Sequence, residues 1–469
     1  MKTQKLWVTG KSKLNPIIEA FETRDDIAMD QKLIKYDVLG SLAHAMMLYK
    51  IGILSKSELV KLEKGLLEIL SLDKQGKFVI SMGDEDVHTK IENYLTEKFG
   101  EAGKKIHTAR SRNDQVITAT RLYTKEELLL IWGELLSGAK SLVAFAQKHE
   151  FVPMPGYTHM QKAMPSSLGM WAGAFAQNLL DDLSLLKSAF ALNNQSPLGS
   201  AAGFGVPLSI DREYTAKLLG FAKVQANSLS VQNSRGKIEA NIVASLLSIL
   251  LTINKFATDV LLYTTSEFNY FTVSETLLTG SSMLPQKKNV DVAELLQSKV
   301  HVVLGFYTTL ISLTANLSSG YNRGLQDSKK PLFESLDITK NSLAVANILI
   351  NNISPNVKIL EKAMTAEIFA THKAMELVKK GMPFREAYQK VAGELASLAR
   401  SHPFGSEPQG RRLARLKVET EDPHKILKQA THTGATGNLG LSALAKTLQK
   451  EKKELEEQNK KWNEVSKDL

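Results

Sequence analysis

Proline placement constrains the fold of this chain more than any other feature. None occurs between Pro16 and Pro153, between Pro207 and Pro285, or between Pro285 and Pro331. A proline inside a helix removes a hydrogen bond and clashes with the preceding turn, so these gaps leave room for very long helices. Apolar residues fill them at helical spacing. From Gln31 onward Leu33, Ile34, Leu39, Leu42, Ala43, Met46 and Met47 mark one helical face, and the stretch from Gln115 to about Lys148 does the same over many turns. From Lys237 to Tyr263 apolar residues lie nearly all round, which places that helix inside a bundle, and residues 290–317 repeat the pattern. Short β-branched runs bounded by turn residues are scarce, so the chain is expected to be all-α.

Length bounds the organisation. A chain of 469 residues with 43% hydrophobic content buries a large core and divides into two or three domains. Beyond about residue 353 the helical pattern shortens and Pro383, Pro403, Pro408 and Pro423 interrupt it. We therefore expect three domains, at 1–110, 111–353 and 354–469. The absence of cysteine excludes disulfides, thiolate nucleophiles and cysteine-ligated metals, and fits a cytoplasmic location. The first residues lack the apolar core of a signal peptide. The most apolar uncharged run, Ala240 to Asn254, falls short of a membrane span, so no membrane partner is expected. Net charge is +10, yet the lysines of the C-terminal stretch stand among nearly as many acids, as on an exposed helix with paired charges. No nucleic-acid motif accompanies them, and no nucleic-acid partner is expected. None of the ten histidines has metal-ligand spacing, so no metal is expected.

The unusual polar clusters fall in breaks of the helical pattern, at 80–114, 151–166, 195–209, 264–289 and 320–331, where sites are usually built. The first, GSSMLPQKKN from Gly280 to Asn289, lacks the second glycine of a phosphate loop. It reads either as a solvated polar loop or as a cationic, hydroxyl-rich loop that runs into a helix N-terminus and holds negative charge there. In PGYTHMQKAMP, Pro155 to Pro165, Thr158 and His159 stand between prolines. His159 is a structural histidine or a proton carrier. In KKIHTARSRNDQ, Lys104 to Gln115, Asn113 or Asp114 is expected to cap the following helix, while Arg and Asn together can grip a carboxylate. GDEDVHTKIE, Gly83 to Glu92, offers Asp86 and His88, or simply an acidic helix start.

GSSMLPQKKN closely resembles the GSSxMPxKxN signature of the fumarase and aspartase superfamily. The SRN triplet Ser111, Arg112, Asn113, and YNRGLQDSKKPLF from Tyr321 to Phe333, are similar to the argininosuccinate lyases within it. DQKLIKYDVLGSLAHAMML and SPLGSAAGFGVPL extend the likeness over most of residues 20–340. The resemblance implies an all-α, three-domain lyase fold whose long central helices form a bundle in a homotetramer. Each active site would be shared between subunits, with no cofactor. It implies reversible anti elimination of argininosuccinate to arginine and fumarate, in arginine biosynthesis.

Carried over residue by residue, Ser281 is the base, Lys287 and Asn289 stabilise the charge that develops on the substrate carboxylate, and His159 with Glu294 delivers a proton to the departing nitrogen. Substrate contacts map to Thr158, Ser111, Arg112, Asn113, Tyr321, Gln326 and Lys329, and to Asp26, which stands where the family has a serine. Further departures are Val290 for a proline, Met283 and Leu284 in inverted order, and Gly324 and Ser328 for aspartates. The rival readings are another lyase of succinyl compounds, such as adenylosuccinate or aspartate, and a crystallin-like homologue without catalysis.

Overall fold

The computed structural model describes residues 15–23, 26–400 and 422–468. The N-terminal segment read against a signal peptide, Arg24 of the RDDI segment, and Pro403 and Pro408 lie outside the described residues. The N-terminal helices are α1 (Pro16–Thr23), α2 (Asp26–Gln31), α3 (Ile34–Lys50), α4 (Lys56–Lys74), α5 (Val87–Phe99) and α6 (Glu101–Lys105). Then come α7 (Arg112–Lys148), α8 (Leu168–Asn193), two short helices α9 (Arg212–Leu218) and α10 (Ser228–Asn233), α11 (Lys237–Tyr263), α12 (Asp291–Thr314) and α13 (Lys329–Asn351). The chain continues through α14 (Val357–Lys362), α15 (Ala370–Lys379), α16 (Phe384–Arg400), α17 (Pro423–Leu427) and α18 (Leu441–Asp468).

The long helices start and end close to where the periodicity placed them, and α11 matches its apolar segment at both ends. The all-α expectation holds, with local exceptions. The break at 80–114 contains α5 and α6, and the break at 151–166 is an antiparallel hairpin of β1 (Pro153–Thr158) and β2 (Gln161–Ser167). This ribbon pairs Pro155 with Pro165, which is tolerable because both strands are edges. Further two-stranded ribbons pair β3 (Gln195–Ser196) with β4 (Lys223–Val224) and β5 (Phe271–Val273) with β8 (Ile353–Pro355), and one of β6 (Thr279–Gly280) and β7 (Lys288–Asn289) closes the GSSMLPQKKN loop as a hairpin.

The central bundle is α7, α8, α11, α12 and α13, and its directions follow from cross-helix contacts. Glu134 and Ser141 of α7 meet Asn347 and Asn351 of α13, so these two run parallel. Trp171 of α8 bonds Asp259 of α11, while Asp182 accepts from Ser248 and Thr252, so α8 and α11 are antiparallel. Asn254 of α11 reaches the Gln297 carbonyl of α12 at 2.7 Å, whereas Gly236 sits against Thr314, so that pair is antiparallel too. Side chains from all five helices belong to one core, from Leu122 to Ile350. The starts of α7, α11 and α13 therefore share one pole with the ends of α8 and α12. The opposite pole carries the ends of α7, α11 and α13 with the starts of α8 and α12.

Two sequence expectations are corrected. Helices α7 and α11 do have the length and apolar content to cross a bilayer. Lys255 and Asp259 end the uncharged run but not the helix, and 56% and 61% of the two apolar windows are buried inside the fold. The C-terminal α18 is not a freely exposed charged rod. Leu444, Leu455, Trp462 and Val465 are buried against the bundle, and Lys187 of α8 bridges Glu451 at 2.8 Å and Glu454 at 2.6 Å. Only Lys452 and Glu456 pair within it at i,i+4 among the described residues.

Candidate active site

The residues singled out from the sequence gather at the two poles. At the first, the start of α7 is fixed by a capping box. The Ser111 hydroxyl accepts from Asn113 N at 3.3 Å, and Asp114 returns by accepting from Ser111 N at 2.9 Å. The cap is thus Ser111 rather than Asn113 or Asp114, and its hydroxyl is engaged by the backbone. Asp114 also accepts from Gly199 N and Ala201 N, both at 2.9 Å, which ties the 195–203 loop to this helix start. Burial pushes the Asp114 carboxyl up to about 6, against the lowering by these three amides.

A cleft of about 190 Å³ opens beside this cap, lined by Asp26, Arg112, Asn113, Tyr321, Gln326 and Lys329. Sequences far apart in the chain meet here because α2, α7 and the start of α13 all point to this pole. The Lys329 ammonium is buried between Asp30 at 2.7 Å and Asp26 at 3.0 Å. Burial alone would lower its pKa, but the two carboxylates outweigh that and hold it raised. Arg112 is paired with Glu85 at 2.7 Å and with Asp86 at 3.2 Å. The Arg235 guanidinium lies 5.7 Å from the Tyr321 ring centre. Asp30, Arg323 and Glu22 also line the cleft and were not singled out from the sequence. Asp30 had a readable signal, one helical turn after Asp26 on the same face.

The second pole holds the hydroxyl loop and the histidine turn. His159 and Met160 form the two-residue tip of the β1–β2 hairpin, with φ of 51° and 61°, as a turn of opposite hand to the common type requires. Thr158 and His159 are exposed there. In the β6–β7 hairpin the Ser281 Oγ accepts from Leu284 N at 3.0 Å and Met283 N at 3.3 Å. Two amides aimed at one hydroxyl oxygen favour its negative form. Lys287 is exposed on the same loop, Asn289 lies in β7, and Glu294 is in the first turn of α12. Asp291 accepts from Thr279, and Lys288 pairs with Glu275, which brace the hairpin.

Within this chain the residues assigned as partners are not in contact. Among the described residues no hydrogen bond or ion pair links His159 to Glu294, or Ser281 to Lys287. None links any of these to the Arg112–Lys329 cleft either. α12 alone, with 24 residues at 1.5 Å each, puts about 36 Å between the poles. Within one chain the two clusters stand too far apart to touch one small molecule.

A lyase family signature spans residues 11–305. The chain is 44% identical over 390 residues to the argininosuccinate lyase of Thermotoga neapolitana, covering 83% of this chain and 98% of that protein. It is 39% identical over 444 residues to that of Sorangium cellulosum, covering 95% and 98%. Among solved structures, EDDS lyase in complex with formate superposes with a TM-score of 0.81 at 20% identity, over 97% of this chain and 95% of that one. A recombinant class II fumarase from Schistosoma mansoni superposes at 0.73 and 15% identity, over 88% and 93%. These structural likenesses speak to the fold.

Proposed function

The chain belongs to the argininosuccinate lyases of the lyase family, and from that premise we propose how its two poles perform the reaction. The enzyme cleaves argininosuccinate to arginine and fumarate, reversibly, as a step of arginine biosynthesis. Ser281 removes the proton from the carbon beside a carboxylate, and the C–H electron pair becomes the new double bond. The bond from the neighbouring carbon to nitrogen then breaks, and the departing nitrogen takes a proton from His159, backed by Glu294. Lys287 and Asn289 hold the carboxylate on which charge develops. A serine is a poor base in water, and the two amides on Ser281 Oγ are what support the assignment.

The cleft formed by Asp26, Arg112, Asn113, Tyr321, Gln326 and Lys329, with Ser111 beside it, takes the remainder of the substrate, and Thr158 contributes from the opposite pole with His159. The single observation that supports this reading is that the two clusters of polar side chains lie at opposite ends of one bundle. They complete each other when the pole of one chain meets the opposite pole of another. We accordingly propose a homotetramer with active sites shared between subunits, located in the cytoplasm. Its three domains have boundaries near residues 110 and 353, the small separate cores after residue 353 supporting the second boundary. In support of assembly, α12 leaves two apolar rows exposed at seven-residue spacing. Leu295 and Val302 form one, Leu304 and Ile311 the other.

The test is ultraviolet absorption of fumarate during incubation with argininosuccinate, run beside a panel of adenylosuccinate, aspartate and malate. Fumarate from argininosuccinate alone, abolished in Ser281→Ala, is expected. Release only from another substrate, or equal release by Ser281→Ala, contradicts the assignment.

A further inference from the structure

His88 and Asp37 form a buried pair that the mechanism above does not use. The His88 Nδ1 stands 2.8 Å from Asp37 Oδ1, and the residues are only 5% and 3% exposed. His88 lies in the first turn of α5, Asp37 in the first turn of α3, and Arg110 sits close behind Asp37 while donating to Ser41 of α3 at 2.9 Å. Burying such charges returns little stability, because desolvation offsets the attraction.

The pair is also incomplete. Among the described residues neither His88 Nε2 nor Asp37 Oδ2 has a hydrogen-bond partner, and both atoms are shut off from water. An unsatisfied buried nitrogen is costly, and a native structure that keeps one calls for a reason. His88 lines the cleft next to Arg112 and Asn113. Its Nδ1 edge meets Asp37, which leaves the covered Nε2 edge as the one nitrogen of the ring without a partner to take up a ligand. Arg112, paired with Glu85 and Asp86, lines the same cleft.

We propose that Asp37 is a positioning residue that holds the His88 ring so that Nε2–H donates to a carboxylate of the bound substrate, alongside Arg112. The inference rests on the reading of this cleft as the site that takes the arginine-bearing part of the substrate. Burial alone would lower the His88 pKa, but Asp37, with Asp86 and Asp30, outweighs it and holds the pKa raised, which favours the doubly protonated ring. A donor fixed in a dry wall loses no freedom when the anion arrives and acts in a low dielectric.

The experiment compares steady-state kinetics of the full-length enzyme with those of His88→Asn and His88→Gln. Asparagine keeps a partner for Asp37 but has nothing at the Nε2 position, whereas the longer glutamine amide reaches it. His88→Asn should raise KM for argininosuccinate about ten- to a hundredfold with a smaller change in kcat, as expected for one charged hydrogen bond. His88→Gln should return KM to within about threefold of the unaltered enzyme. An unchanged KM in His88→Asn overturns the proposal, and so does a glutamine variant no better than the asparagine one. The unaltered enzyme reports separately on the underlying reading. If it releases no fumarate, the substrate assignment falls; if it does and KM is unmoved by His88→Asn, the positioning role alone falls. Should His88→Asn fail to fold, Asp37→Asn beside His88→Gln gives the same comparison, and equal KM in both and in the unaltered enzyme again overturns it.

Discussion

Ser281 and Tyr321 flank opposite ends of the same helix. One lies before the start of α12 and the other beyond its end, so the 24 residues between Asp291 and Thr314 hold the hydroxyl loop and the Tyr321 cleft about 36 Å apart. Neither half-site is placed by local sequence alone. Each is set by the direction in which a long helix delivers it, and the alternation of those directions across the bundle sorts thirteen dispersed positions into two groups.

Assembly should depend on side chains that do little for the single chain. Leu295 and Val302 of α12 are exposed, so replacing both with aspartate leaves the chain's own core intact. Sedimentation of the double variant should show smaller species with unchanged helix content by circular dichroism. Fumarate release should fall to below about a hundredth, since interface anchors dominate association. An active assembly of unaltered size would argue that α12 faces solvent.

Asp114 anchors the start of α7 and the 195–203 loop through three backbone amides, at Ser111, Gly199 and Ala201. Asp114→Ala leaves those donors buried and unpaired, which should cost about 3 kcal/mol or more. Urea denaturation should show the loss, with a fall in activity because Asn113 sits in the same helical turn. Full stability in this variant would mean that the amides find other partners.

The pair of His88 and Asp37 gives a pH signature. His88 has a raised pKa in the folded chain against 6.5 ordinarily, so the folded state keeps a proton that the unfolded chain has lost. Its contribution is complete below pH 6.5 and is lost as pH rises through the folded value. Denaturation of the unaltered protein and of Asp37→Asn should therefore differ more at about pH 6 than at about pH 9. A difference that grows with pH would reverse the sign and exclude the ion pair.

The long helices were legible because their apolar residues repeat without proline, and α11 begins and ends where its apolar segment does. The β1–β2 hairpin was not, since Pro155 and Pro165 read as strand breakers and only an isolated two-stranded ribbon accommodates them. Helix α5 was hidden by its polar start, although Val87, Ile91 and Leu95 carry its buried face at four-residue spacing. The chemistry-bearing segments were legible as strings. Their distances were not: Glu294 and His159 look like partners on paper, but no hydrogen bond joins them among the described residues. The Asp37–His88 pair escaped because its residues lie 51 positions apart and nothing in either segment points to the other.

The most direct measurement mixes two disabled proteins. Ser281→Ala removes the proposed base from one pole, and Asn113→Asp places a negative charge in the cleft of the other, opposing a carboxylate-rich substrate. Each alone should release almost no fumarate. Unfolded together in equal amounts and refolded, they should regain up to about a quarter of the activity of the unaltered enzyme, because some mixed assemblies join an intact Ser281 pole to an intact Asn113 pole. Mixtures as inactive as their parents would place the whole site within one chain and contradict the shared site.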